Sequence, residues 1–285
     1  MTSPLRIAIA GLGTVGCGTI AILEGQRELL AARCGRPLAI TAVSARTRDK
    51  ARPVPIAPYR WHDDPVELAH ADDVDVVVEL MGGEDGTALD LTRAALGAHK
   101  SVVTANKALL AHRGAELARL ADANGVVLAY EAAVAGGIPI VKALRDGLVG
   151  NRAKGVVGIL NGTCNYILTT MRTHGRDFAD VLAEAQALGY AEAEPSLDVD
   201  GFDAAHKLAL LASIAFGTEP AFDRIHIEGI RHVAPIDIAF AEELGYRIKL
   251  LGIARRTAHG VEQRLHPCMI RRDTPLAEIE GVFNA

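Results

Sequence analysis

The chain of 285 residues is 49% hydrophobic and carries 30 Lys and Arg against 35 Asp and Glu, a formal charge of −5. That balance lacks the clustered cations of a phosphate-backbone binder, and no apolar run reaches the ~20 residues that span a bilayer, so nucleic-acid and membrane partners are excluded. The N-terminal Met-Thr-Ser-Pro-Leu-Arg has no signal-peptide plan, and Cys17, Cys34, Cys164 and Cys268 are too scattered for a disulfide framework or a zinc site; a soluble cytoplasmic protein of one large or two medium domains is expected.

Through the first half, strand-like apolar runs at residues 6–10, 38–43, 74–80, 101–104 and 126–130 alternate with helical stretches at 16–32, 87–98 and 108–123. The alternation predicts βαβ units around a parallel sheet, an α/β fold. Asn124-Gly125 stops the last of these helices, and the span 52–64, with Pro53, Pro55 and Pro58, reads as a loop or edge excursion. After residue 135 the pattern changes to a strand near 153–160, helices near 166–173, 178–188 and 202–216, and two strands, 246–255 and 261–270, that can pair as a hairpin. This half predicts a mixed α+β domain.

Gly11-Leu12-Gly13-Thr14-Val15-Gly16 follows the first strand and opens a helix. Such glycines permit a tight turn, let backbone approach a pyrophosphate and bring helix close to sheet, while the helix start attracts the negative charge. After the second strand comes Ser44-Ala45-Arg46-Thr47-Arg48. An NAD-selective site usually has an acid here for the ribose hydroxyl, whereas Arg46, with Arg48 beside it, suits a 2′-phosphate. The expected cofactor is therefore NADP, with NAD left open.

Asn106-Lys107 follows the strand at 101–104, where ligands gather in doubly wound sheets, although a lysine that starts a helix can equally be solvated. Glu131-Ala132-Ala133-Val134-Ala135-Gly136-Gly137-Ile138-Pro139 closes the last strand of the first half. A carboxylate followed by irregular, glycine-containing backbone can offer oxygens to a hard cation; the same residues also suit an ordinary turn between domains.

Asn161-Gly162-Thr163-Cys164-Asn165-Tyr166 lies where a strand gives way to a helix. Cys164 there is either a nucleophile activated by the helix start or a small side chain in a loop that supplies shape and hydrogen bonds. The second reading is preferred, because no histidine is placed as an activating base. Further on, Asp203 and Lys207 stand four residues apart at the head of a helix that continues through residues 208–216 apolar on every face. A pair sharing one face at the entry of a buried helix borders a cleft more readily than open solvent, and such a lysine suits proton transfer. His206, on another face, reads as a packed side chain.

Taken together, Gly11 to Gly16, Thr104-Ala105-Asn106-Lys107-Ala108-Leu109, Glu131 to Pro139, Leu160 to Leu168 and Gly189 to Leu208 resemble homoserine dehydrogenase in order and spacing over nearly the whole chain. The resemblance implies a Rossmann-type nucleotide domain over residues 1–135 and a catalytic and dimerising domain over 136–285. It also implies an oxidoreductase of a homodimeric kind acting on a CH–OH group. The implied reaction is the NAD(P)-dependent interconversion of L-homoserine and L-aspartate 4-semialdehyde, in the threonine and methionine branch of aspartate-derived biosynthesis. By the same resemblance Lys207 is the acid/base lysine, Asp203 its carboxylate neighbour, Glu192 the receiver of the substrate ammonium, and Asp198 part of the polar shell. Lys107 falls between nicotinamide and substrate, and a sodium site maps to Glu131 with the backbone oxygens of Val134, Gly136 and Ile138. Glu194 stands where the family commonly has Asp. The family continues past the point matched by Ala285 into a glycine-rich segment, a helix and often a regulatory ACT domain. The alternatives are therefore a truncated chain that binds nucleotide or dimerises without catalysis, and an acylating semialdehyde dehydrogenase using Cys164.

Overall fold

A computed structural model of the chain describes residues 3–285; Met1 and Thr2, the head of the stretch read as lacking a signal-peptide plan, lie outside the described residues. The chain forms two compact units, Met1–Lys142 and Ala143–Ala285.

In the first unit β1 (Leu5–Ala10) leads into α1 (Thr14–Gly25) and α2 (Arg27–Cys34), then β2 (Leu38–Ser44) and the short β3 (Arg60–His62). There follow β4 (Val76–Glu79), α3 (Thr87–Gly97), β5 (Ser101–Thr104), α4 (Lys107–Ala123), β6 (Leu128–Ala129), α5 (Glu131–Val134) and α6 (Ile140–Lys142). All six strands are parallel, in the order β3-β2-β1-β4-β5-β6. Because successive strand residues point to opposite faces, β1 serves two cores. Ala8 and Ala10 join Ala42, Val77, Leu91 and Leu109 on one side, while Ile7 and Ile9 join Ile20, Val43 and Val78 on the other. Alanines on one face and isoleucines on the other let helices approach at different depths. Arg6 donates to Asp75 at 2.6 and 3.1 Å, tying β1 to the approach of β4 and holding the Asp75 carboxyl down to about 2.

The expected α/β architecture is present, with three local differences. The helix expected over 16–32 starts at Thr14, capped by Gly13, and breaks at Gln26, whose φ of −122° turns the chain into a second helix without buried residues. Within the proline-rich excursion, residues 60–62 pair with β2 and add an edge strand. The backbone expected to be irregular after residue 130 instead makes one helical turn at Glu131–Val134 before the glycines.

The second unit contains β7 (Gly155–Gly158), α7 (Gly162–His174), α8 (Phe178–Ala187), α9 (Ser196–Val199) and α10 (Phe202–Phe216). The chain continues through β8 (His226–Ile227), α11 (Pro235–Glu243), β9 (Tyr246–Thr257) and β10 (Gly260–Arg271). The sheet order is β7-β9-β10-β8, and β9 with β10 forms the expected hairpin. Helix α10 lies against β7, β9 and β10, and Leu208, Ala209, Leu210, Leu211 and Ala212 are buried along it. The two-residue β8 and the helix α11 have no counterpart in the sequence reading. Proline at the first helical position of α11 and an Asp237 carboxylate accepting from the Ala234 N–H are the start signals that were there to find.

One charge is buried in this unit. Lys249, on β9 and only 3% exposed, donates to Asn165 Oδ1 at 2.9 Å and to the Ile279 carbonyl, so it pins the segment after residue 278 to α7. Burial draws its ammonium down from 10.5 to about 8. Between those values the unfolded chain keeps a proton that the folded chain has released, so this lysine makes the fold more stable as pH rises across the window. Lys249→Met is expected to lose that slope. Urea midpoints of the two proteins at both ends of the window measure it, and parallel pH dependences would contradict the assignment.

Candidate active site

In the first unit the glycine turn forms as its spacing requires. Gly11 has φ +99°, and a side chain there would place Cβ 2.5 Å from the Leu80 carbonyl oxygen. Gly16 sits with its Cα against the Gly11 carbonyl, so that a Cβ would overlap it. The turn opens on a cleft of about 700 Å³ lined by Gly11, Gly13, Arg46, Lys50, Arg52 and Leu80 among others. Thr14, Val15 and Gly16, the first residues of α1, are not among the lining residues, and Val15 is 58% exposed.

Arg46 lines this cleft, and Lys50 and Arg52, which sequence reasoning passed over, join it. Arg52 donates to the carbonyls of Thr47, Arg48 and Lys50, and both Arg48 and Arg52 stand over the Trp61 ring at 5.8 and 5.7 Å. This loop is therefore braced from within by a cation on an aromatic face. Two buried polar atoms in the lining, Ser44 Oγ and Arg52 Nε, have no protein partner. A glycine turn open to backbone approach, three cations and two unsatisfied polar atoms fit a phosphorylated dinucleotide.

At the carboxyl end of β5, Asn106 caps α4 by accepting from the Leu109 N–H at 3.1 Å, which places Lys107 as the first helical residue. Behind it lies Glu79, which the sequence reading did not single out. It is fully buried and accepts from the Met81 N–H and the Thr104 hydroxyl, each at 2.6 Å.

Glu131 uses both carboxylate oxygens on the start of α6, accepting from the N–H groups of Val141 at 2.8 Å and Lys142 at 3.0 Å. The Ile138 carbonyl accepts from the Ile140 N–H. The donors of the expected cation set are hard oxygens, and each Glu131 oxygen retains a lone pair, so the set is chemically suited to a monovalent cation. Among the described residues no group of three or more His, Cys, Asp and Glu side chains gathers as for a transition metal.

In the second unit the Lys207 ammonium donates to Asp203 Oδ2 at 2.8 Å and to the Leu160 carbonyl at 2.9 Å. Both side chains are largely shielded, at 16% and 13% exposure. The i,i+4 spacing at the head of α10 makes the pair, and the left-handed Gly201 before it starts the helix. Asn161 joins the strand side to the helix side. Its Oδ1 accepts from the Cys164 N–H at 2.8 Å, capping α7, and its Nδ2 donates to Asp198 Oδ1 at 2.7 Å and Asp203 Oδ2 at 3.1 Å. Asn161, Asp198, Asp203 and Lys207 thus form one connected polar cluster. Asn161 was legible as an N-cap residue at a strand-to-helix junction, but its second function depends on contacts 37 and 42 residues away.

Glu192 is exposed and lies outside the cluster's hydrogen bonds, its backbone carbonyl held by Gln186 Nε2 at 3.0 Å. His206 is a packed side chain, stacked on Phe222 at 4.4 Å. Cys164 corrects the thiolate reading. It is fully buried, its Sγ donates to the Asp198 carbonyl at 3.2 Å, and burial together with the Asp198, Asp203 and Asp200 charges pushes the thiol well above its usual value. A nucleophilic cysteine needs the opposite.

The family model for homoserine dehydrogenase matches residues 139–285, and that for the NAD-binding domain of homoserine dehydrogenase matches residues 11–131. Homoserine dehydrogenases of Neisseria gonorrhoeae and Pseudomonas aeruginosa are each 50% identical to the chain over 99% of its length, and the chain spans 64% of theirs. The crystal structure of a homoserine dehydrogenase from Thiobacillus denitrificans superposes with a TM-score of 0.96 at 46% identity, covering 99% of this chain and 65% of that one. A hyperthermophilic archaeal homoserine dehydrogenase mutant in complex with NADPH aligns with a TM-score of 0.82 at 26% identity, over 99% of this chain and 86% of that one. With matches of this extent over both units, the chain belongs to the homoserine dehydrogenase family.

Proposed function

We propose that the protein catalyses the reversible NAD(P)-dependent interconversion of L-homoserine and L-aspartate 4-semialdehyde, the activity for which its relatives are named. In the cell this places it in the cytoplasm, in the threonine and methionine branch of aspartate-derived biosynthesis, as a homodimer. The observation that carries the reading is the held ammonium of Lys207. Of its three N–H donors, one goes to Asp203 and one to the Leu160 carbonyl, which leaves one for a substrate oxygen.

The nicotinamide cofactor, when bound, supplies or accepts the hydride. Lys207 does the proton transfer: in reduction it protonates the aldehyde oxygen as negative charge develops there, and in oxidation it takes the hydroxyl proton. Asp203 orients the ammonium and, with Asp198 and Asn161, keeps the cluster polar. Glu192, exposed and anionic, receives the substrate ammonium. In the first unit Gly11, Gly13, Thr14, Val15 and Gly16 shape the pyrophosphate turn, Lys107 contacts the cofactor side, and Arg46 with Lys50 and Arg52 favours NADP. A monovalent cation, sodium in this reading, would be held by Glu131 and the carbonyls of Val134, Gly136 and Ile138, and would order the turn.

Three outcomes test the reading. Lys207→Ala should lower homoserine oxidation, followed by nicotinamide absorbance, by about a hundredfold to ten-thousandfold while the circular dichroism spectrum is kept. Parental turnover in that variant, or cofactor binding without turnover in the parent, would overturn it. Arg46→Ala should weaken NADP about tenfold, the loss of one charge-assisted contact, with little change for NAD; equal effects on both would remove the phosphate role. Cys164→Ser should retain turnover, since the thiol takes no part in chemistry, whereas a thioester mechanism requires its loss.

A further inference from the structure

Glu79 is fully buried at the end of β4 and has no solvent to satisfy its carboxylate. Three donors reach it. Oε1 accepts from the N–H groups of Met81 at 2.6 Å and Gly82 at 3.3 Å, and Oε2 accepts from the Thr104 hydroxyl at 2.6 Å. Thr104 Oγ1 in turn accepts from the Asn106 N–H at 2.9 Å, so the direction of the chain is set: the hydroxyl hydrogen must point at Glu79. Asn106 closes the ring by donating from Nδ2 to the Gly83 carbonyl at 2.7 Å.

Two segments are fastened together by this ring. One is residues 80–83, of which Leu80, Met81 and Gly82 line the cleft and Leu80 abuts the Gly11 turn. The other is the start of α4, at Lys107. Glycines at 82 and 83 have φ of +83° and +92°, a backbone that does not set its own shape. Their shape comes from the carboxylate behind them.

We propose that Glu79 is a positioning residue for cofactor binding: acting through Thr104 and Asn106, it sets the wall of the dinucleotide cleft beside the glycine turn and registers that wall to Lys107. The inference rests on the reading of the cleft as the NADP site. A carboxylate suits the task because three donors converge on it. A glutamine replaces one acceptor oxygen by an NH₂ group, which must face either the Thr104 hydroxyl, depriving its hydrogen of an acceptor, or the Met81 and Gly82 N–H groups, donor against donor.

The test is NADPH titration of the whole chain by quenching of its own fluorescence, below the melting temperature of each variant, for Glu79→Gln, Thr104→Val and Thr104→Ser. Glu79→Gln and Thr104→Val should raise the NADPH dissociation constant about tenfold or more with circular dichroism unchanged. Thr104→Ser, which keeps the hydroxyl, should stay near the parent. Parental affinity in Glu79→Gln and Thr104→Val overturns the proposal, and so does a Thr104→Ser loss as large as that of Thr104→Val, which would mean packing and not the hydroxyl. Should Glu79→Gln fail to fold, the two Thr104 variants decide alone. No quenching in the parent itself overturns the cofactor reading, a failure distinct from unchanged variants.

Discussion

The side-chain amide of Asn161 holds together groups that would otherwise repel or drift. Asp198 and Asp203 are like charges, and a single NH₂ group donating to both keeps them at hydrogen-bond distance, 2.7 and 3.1 Å from its nitrogen. The same residue's oxygen caps α7, so its orientation is fixed by a helix-start N–H that has no partner within the helix. With Asp203 fixed, Lys207 has a defined partner, and with the Leu160 carbonyl beside it the ammonium cannot rotate away. Removing either partner of a shielded ion pair leaves an uncompensated charge, a cost of about 3–5 kcal/mol, so the cluster is held as a unit.

The first unit solves a different problem by the same means. A parallel sheet directs its loops to the carboxyl edge, where backbone is irregular and its polar groups need partners. On one side of the cleft the solution is glycine: Gly11 and Gly16 let backbone pack against backbone. On another it is the Arg52 guanidinium, which takes three carbonyls of its own loop. Behind the wall at residues 80–83 it is Glu79, a buried acid that accepts from three donors. Each device leaves backbone satisfied without filling the cleft.

The parts of the fold that were legible in the sequence are those set by local pattern. The strand 101–104, the helix 202–216 and the hairpin of β9 and β10 follow from periodicity and from turn residues alone. The break at Gln26, the three-residue β3 and the two-residue β8 were not legible, because each exists through pairing or packing with a distant segment and carries too few residues to show a period. The same contrast runs through the site. Asp203 and Lys207 could be paired from spacing, since a helix places i and i+4 on one face. Asn161 and Asp198 could not, being brought together across 37 residues.

By itself the sequence determined the α/β class, the glycine turn, the cation after the second strand and the pairing of Asp203 with Lys207, all features in which neighbours along the chain are neighbours in space. Only the tertiary structure decided that Cys164 is buried against the Asp198 carbonyl and so is no nucleophile, and that Glu131 closes a turn with both oxygens. The same holds for Glu79, isolated in the sequence, which stands behind the cleft wall. The reason is common to all three: the state of a thiol or carboxylate depends on burial and on which donors reach it, and those donors come from other strands and turns.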